Sequence, residues 1–239
     1  ESLILWSKTL YGHETTFLAD AYQYAGLLAK SRARFPEAIR CFQSALATLD
    51  SLDAPAHGIK AEAHKNLAET YFQYGKFALA RDEYGLELQA REVYEPEGIG
   101  VAFALVNMNE ARQAVHDTAG IAEAYGRARR IFELNDGPGS PGFAEVLYRD
   151  GSWRFQCGDT TGAGRALDEA ISVLGDRSGQ GHLLAECLAQ RANVYLAVGA
   201  TDSAIVLATR ARRLAVEAGG SLEPVAVDCL MTIGKAHQE

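Results

Sequence analysis

Residues 65–84 read KNLAETYFQYGKFALARDEY, two helical patterns separated by Gly75. Apolar side chains recur three or four residues apart on both sides of the glycine: Leu67, Ala68 and Tyr71 before it, Ala80 and Tyr84 after it. This spacing places the apolar side chains on one face of an α-helix. Because glycine is favoured where a chain leaves one helix and reverses direction, the stretch predicts a helical hairpin.

The hairpin pattern recurs every 41 or 42 residues along the chain of 239 residues. Mostly small residues mark the second helix of each hairpin: Ala38, Ala80, Ile121, Ala163 and Ala204. Mostly large residues mark the first helix: Tyr22, His64, Leu105, Leu147, Leu188 and Leu230. The turn between the two helices falls at Ala33, Gly75, His116, Gly158 and Gly199. A repeat of this length is typical of a helical solenoid, in which each hairpin buries its apolar face against the next.

The unit around residues 65–84 resembles a tetratricopeptide repeat, and the resemblance extends over residues 19–237. A standard tetratricopeptide unit has about 34 residues, so the longer units here are similar to the kinesin light chain variety. The resemblance implies an all-α fold, a right-handed superhelical solenoid of stacked antiparallel helix hairpins.

We expect a single solenoid over residues 1–239. The expected hairpins cover residues 19–52, 59–94, 99–134, 143–175 and 182–218. Residues 1–10 are expected to be the end of a preceding repeat helix, and residues 224–239 the first helix of a truncated repeat. Since both ends stop within a unit, we expect the sequence to be a piece of a longer protein.

Composition argues against several classes of protein. The net charge of -8 disfavours nucleic acid and anionic membranes as partners. No apolar run approaches the ~18 residues of a membrane span, and residues 1–10 are too short and polar for a secretory signal. The four cysteines form no CxxC pair. We therefore expect a cytoplasmic protein with no metal, no cofactor and no catalytic residues, and the sequence leaves its oligomeric state open.

The resemblance implies a non-enzymatic scaffold that binds a protein or peptide segment in a concave groove lined by the first helices. An alternative is a regulatory or sensor region of a larger signalling protein, with an ATPase, protease or transcription factor as effector domain elsewhere. A self-contained enzyme is a third possibility, but it requires a nucleophile, a base and oxyanion donors that the sequence does not display.

The candidate groove residues recur with the repeat. Acidic residues hold one position of five first helices, a position that the resemblance places in the groove: Asp20, Glu62, Glu145, Glu186 and Asp228. Nearby positions carry further polar or aromatic groups: Tyr24, Asn66, Glu69, Asn107, Glu110, Arg149, Gln190 and Asn193. This pattern predicts that the groove binds a basic or polar segment. Alternatively, the acids are an ordinary solvated surface of an acidic chain.

Other charged residues have two interpretations. The clusters Arg127-Arg129-Arg130 and Arg210-Arg212-Arg213 fall near the expected ends of second helices, where cations complement the helix dipole. An acidic partner is the alternative. Charged residues at normally apolar or small positions predict a half-buried ion network: Arg112, Asp150, Arg154 and Arg191.

Overall fold

The computed structural model of the protein describes residues 16–52, 56–175, 181–219 and 224–236. These residues form eleven α-helices and no strand. The helices are α1 (Thr16–Ser31), α2 (Phe35–Asp50), α3 (His57–Gln73), α4 (Phe77–Tyr94), α5 (Ile99–Ala114), α6 (Ile121–Asn135), α7 (Pro141–Gln156), α8 (Thr160–Leu174), α9 (Gly181–Ala197), α10 (Thr201–Gly219) and α11 (Pro224–Ala236). The all-α fold is confirmed, and the helix expected over residues 1–10 lies outside the described residues.

The chain divides into two compact units, Glu1–Ile131 and Phe132–Glu239. In the first unit, α1 packs on α2 and α3 packs on α4. The pair α5 and α6 is joined by two hydrogen bonds, from Asn109 to the carbonyl of Ile121 (3.2 Å) and from Gln113 to the hydroxyl of Tyr125 (3.1 Å). In the second unit, α7 packs on α8, α9 packs on α10, and α11 packs on both α9 and α10.

The turn residue of every hairpin adopts a left-handed backbone conformation. Its φ is positive at all five positions: Ala33 (55°), Gly75 (76°), His116 (58°), Gly158 (83°) and Gly199 (75°). At Gly75 the next residue, Lys76, donates its N–H to the carbonyl of Tyr71 (2.8 Å), the bond that closes a Schellman motif. The same six-to-one bond recurs in the other four hairpins. The predicted turn positions are therefore confirmed, including the two that lack glycine.

The small column of the repeat forms the tightest part of the core. Its five members have no exposed surface: Ala38, Ala80, Ile121, Ala163 and Ala204. Four residues further along, the side chain is large in four of the five hairpins, and Phe42 and Leu167 are fully buried there. The predicted small-and-large face of the second helices is confirmed. At the end of the second unit the apolar face of α11 is exposed, with Leu230 51% and Met231 56% accessible.

The predicted ion network takes a different form. Arg154 donates from Nε to Asp150 at 2.9 Å, as predicted. Arg191 instead donates two hydrogen bonds to the carboxylate of Asp168 on α8, from Nε at 2.8 Å and from Nη2 at 3.0 Å. Arg112 donates to Asp117 in the turn after its own helix, at 3.2 Å. The other four hairpins carry no charge at the position of Asp168, so the repeat pattern did not single that residue out.

Candidate functional site

Three carboxylates lie on successive first helices of the second unit. Glu145 lies on α7, Glu186 on α9 and Asp228 on α11, and α9 contacts both neighbouring helices. Burial, and next the negative charge of Glu186, raises the pKa of Glu145. Because one carboxylate raises the pKa of another only at short range, the first-helix face of this unit concentrates negative charge.

Only part of that charge is compensated. Arg149 lies 3.5 Å from Glu145, measured from Nη2 to Oε1. Burial lowers the pKa of Arg149, and the charge of Glu186 opposes that shift. Among the described residues, no cation forms an ion pair with Glu186 or Asp228. This face of the second unit therefore keeps two carboxylates available to a positively charged group from outside.

The phenol of Tyr148 lies beside the same carboxylates. Its pKa is raised to about 12, first by burial and then by the negative charges of Glu186 and Asp228 among others. The phenol stays protonated at neutral pH. The phenol thus adds a hydroxyl donor beside the two carboxylates. Its ring packs on Ala163, Leu167 and Val194 and lies 5.8 Å from the guanidinium carbon of Arg149.

The predicted polar side chains of the second unit are only partly accessible. Gln190 is half-buried on α9. Asn193 is half-buried as well, and its Oδ1 accepts a hydrogen bond from the hydroxyl of Thr232 on α11 at 2.9 Å. Asn193 therefore joins two neighbouring first helices and offers its amide nitrogen, rather than both polar atoms, to a partner.

In the first unit, cations neutralise two of the predicted groove acids, Glu62 and Glu69. Glu62 lies 2.5 Å from the ammonium of Lys65 and 3.5 Å from the guanidinium of Arg91. Glu69 of α3 lies 2.6 Å from the ammonium of Lys30 on α1. A basic partner would have to displace these internal cations, so the first unit offers less free negative charge than the repeat pattern suggests.

Two other predicted residues of the first unit, Asp20 and Asn66, differ from Glu62 and Glu69. Asp20 is half-buried, burial raises the pKa of its carboxyl group, and no described cation pairs with it. Asn66 is 5% exposed and donates from Nδ2 to Oε1 of the buried Gln23 at 3.3 Å. The amide of Asn66 thus holds α3 against α1 and is not presented to a partner, contrary to the expectation from its residue type.

The other predicted residues of the first unit differ in accessibility. Tyr24 is 66% exposed on α1, whereas Asn107 and Glu110 are half-buried on α5. Tyr24 is therefore the most exposed of the predicted residues of this unit.

The sequence did not reveal a buried carboxylate behind Glu62. Glu87 of α4 is 1% exposed and accepts a hydrogen bond from Nε of Arg91 at 2.7 Å, while its Oε2 has no hydrogen-bond partner. Burial raises the pKa of Glu87 to about 7, against the opposing hydrogen bond and charge of Arg91. The signal that could have revealed it is the repeat itself, because the other four hairpins carry alanine at this position.

The polar side chains of the first helices can bind another molecule. Within the described ranges, no three His, Cys, Asp or Glu side chains are placed to share a metal ion. None of the described helices is long and apolar enough to cross a membrane. Carboxylates, a phenol and amides arranged along parallel helices can bind cations and peptide groups.

Comparison with solved structures shows that the chain has the tetratricopeptide-repeat fold. BtubC (BKLC) from P. vanneervenii is 20% identical, with a TM-score of 0.80 over 92% of this chain and 89% of that one. A putative kinesin light chain of Podosopora anserina with nearly identical TPR-like repeats is 14% identical, with a TM-score of 0.70 over 86% and 99%. YrrB, described as a TPR protein with an unusual peptide-binding site, is 16% identical, with a TM-score of 0.57 over 97% of both chains. The likeness to long, kinesin-light-chain-like repeats is thus confirmed at the level of the fold.

No protein-family model matches the chain, and no curated protein sequence is detectably similar to it.

Proposed function

We propose that the protein is a non-enzymatic interaction scaffold that binds a basic or polar segment of a partner protein on its first-helix faces. The observation that carries this proposal is the pair of unpaired carboxylates, Glu186 and Asp228, beside the protonated phenol of Tyr148. A lysine or arginine of the partner would form the ion pairs that no described residue forms with these two carboxylates.

The expected affinity is built from several weak contacts. An exposed ion pair contributes only ~0.2 to 1 kcal/mol, so one cation on Glu186 or Asp228 is insufficient for stable binding. Further contacts would come from Gln190, the free amide nitrogen of Asn193, and the hydroxyl of Tyr148. Because the carboxylates act through long-range attraction, association should slow and weaken as salt is added.

The first unit would contribute mainly through Tyr24 and Asp20, since Glu62 and Glu69 are already engaged by Lys65, Arg91 and Lys30. Asn66 has no part in the proposed surface because it is buried. The described peptide-binding site of YrrB, which has the same fold, supports a peptide as the form of the partner. The same binding surface would be used if the chain is a regulatory region of a larger signalling protein.

A peptide array tests the proposal. Immobilised peptides of basic, neutral polar and acidic composition would be probed with the labelled protein and with the double variant Glu186→Lys/Asp228→Lys. We expect the protein to prefer basic and polar peptides and the variant to lose that preference. The matched control is Glu123→Lys/Glu133→Lys, which changes the net charge equally on two exposed carboxylates of α6. Loss of binding in both variants, or in neither, would contradict the proposal.

A further inference from the structure

A cleft of about 400 Å³ opens between two second helices of the second unit. Its walls are α8 and α10, which both pack on α9, and α9 supplies the floor. The apolar part of the lining comes from all three helices: Ile171, Leu188, Val206 and Leu207. This volume lies within the range of pockets that hold small ligands or side chains.

Val206 at the edge of this cleft departs from the repeat. Its side chain is 66% exposed on α10. The other four hairpins place a charged residue at the same position: Arg40, Asp82, Glu123 and Arg165. An exposed apolar side chain, at a position that is charged in the other four hairpins, lowers solubility unless another apolar group covers it. The departure therefore coincides with an apolar cleft, at whose edge Val206 is exposed.

Some of the charged groups around the cleft form ion pairs and others do not. Asp168 is neutralised by two hydrogen bonds from Arg191, which also lies over the ring of Tyr195 at 3.9 Å. Further along α10, Arg212 and Arg213 are exposed, and no described acid forms an ion pair with them. A second depression of about 590 Å³ shares Val206 with the cleft and continues along α10 past both arginines to Val216.

The helix dipole does not account for these arginines. Helix α10 continues to Gly219, so Arg213 lies well before its last turn, where a cation would interact with the carbonyl ends. The prediction that this cluster complements a helix end is therefore wrong. In the corresponding cluster of α6, Arg127 contacts Glu92 and Arg130 lies 3.6 Å from Glu97. Among the described residues, no acid forms an ion pair with Arg212 or Arg213 of the cluster on α10.

We propose that this surface of the second unit binds an acidic partner segment, with one apolar side chain inserted into the cleft and carboxylates paired with Arg212 and Arg213. The cleft would hold the apolar side chain of the partner. The two guanidiniums that form no ion pair would attract the carboxylates that flank that side chain. Asp202 lines one end of the cleft and Glu217 lines the far end of the depression, so the acidic stretch of the partner is confined to the part of α10 between them. An anchor of this kind favours a peptide over nucleic acid or lipid headgroups, whose phosphates need only the cations.

A designed peptide tests the inference directly. The probe is a fluorescein-labelled decapeptide of aspartate and glutamate with one central phenylalanine, measured by fluorescence anisotropy. We expect saturable binding to the protein. Replacing the phenylalanine by alanine should weaken binding about tenfold, because burying an aromatic side chain contributes most of the apolar energy. The variant Arg212→Glu/Arg213→Glu should also weaken binding about tenfold or more.

The control variant is Arg32→Glu/Arg40→Glu, which makes the same change in net charge on two exposed arginines of the first unit. It should bind the probe as the unaltered protein does. No saturable binding, or equal affinity for the phenylalanine and alanine peptides, would overturn the proposal. So would binding of polyuridylate or phosphatidylserine vesicles through Arg212 and Arg213 that the peptide does not compete away.

Discussion

The ring of Phe42 occupies the space that a side chain at residue 26 would need. A Cβ atom built on Gly26 would lie 2.6 Å from ring carbon Cε1, closer than any normal contact. Phe42 is fully buried and cannot swing aside without displacing its neighbours. This contact fixes how closely the two helices of the first described hairpin approach.

The variant Gly26→Ala should therefore destabilise the protein although alanine is the better helix former. We expect the free energy of unfolding to fall by about 1 to 3 kcal/mol, the usual cost of overpacking. The matched control is Gly85→Ala on α4, where the added Cβ would meet nothing within 4 Å except the adjacent backbone of its own helix. That variant should gain about 0.5 to 1 kcal/mol from helix propensity alone. Urea unfolding of both variants measures the difference, and effects of equal sign would contradict the packing described.

The hairpin turns allow a reciprocal exchange between two equivalent positions. Ala33 and Gly75 both have positive φ, at 55° and 76°, and no atom lies within 4 Å of a Cβ added to Gly75. Ala33→Gly should raise the melting temperature because it removes the strain of a left-handed alanine, worth roughly 1 kcal/mol. Gly75→Ala should lower it by a comparable amount for the same reason. If both exchanges shift the melting temperature in the same direction, the turn geometry is not what sets stability there.

Glu87 should make stability depend on pH near neutrality. Its pKa is about 7 in the folded protein because of burial, whereas an unfolded glutamate titrates near ~4.3. Between these values the folded state holds a proton that the unfolded state has lost, so the free energy of unfolding should fall as pH rises toward 7. Glu62, Lys65 and Arg91 are the other charged groups that influence this carboxyl group.

The isosteric variant Glu87→Gln has no titrating group at this position. Its free energy of unfolding should therefore fall less than that of the unaltered protein as pH rises. Urea unfolding of both proteins at intervals from pH 5 to 8 measures the effect. We expect the variant to gain stability relative to the unaltered protein up to about pH 7, the folded-state pKa, and the difference then to level off. A difference that stays constant across the range would show that Glu87 titrates normally.

The repeat predicted the fold because its columns correspond to local requirements of a helical hairpin. The left-handed turn at Gly75 and the small residue at Ala80 each follow from contacts within one hairpin. Even Ala33 and His116, which are poor residues for a left-handed turn, were located correctly because the period fixed their place. These features depend on spacing along the chain, which a sequence displays directly.

The properties of the candidate site depend on distances that spacing does not determine. The pair between Lys30 and Glu69 joins residues 39 apart, and it forms because two first helices meet at that point. The sequence therefore predicted a row of acids but not which of them cations neutralise. The cleft beside Val206 was missed for a similar reason, since its volume depends on side chains from three helices.

The neutralising variant Glu186→Gln/Asp228→Asn tests the central claim most directly, because it removes the two unpaired charges and preserves side-chain size. The measurement is a fluorescence anisotropy titration with the best basic peptide from the array, at low and at high salt. We predict that the variant binds about tenfold more weakly at low salt and that its affinity depends less on salt than that of the unaltered protein. The matched variant Glu123→Gln/Glu133→Gln, on two exposed carboxylates of α6, should bind normally. Unchanged affinity and an unchanged salt dependence in Glu186→Gln/Asp228→Asn would contradict the account.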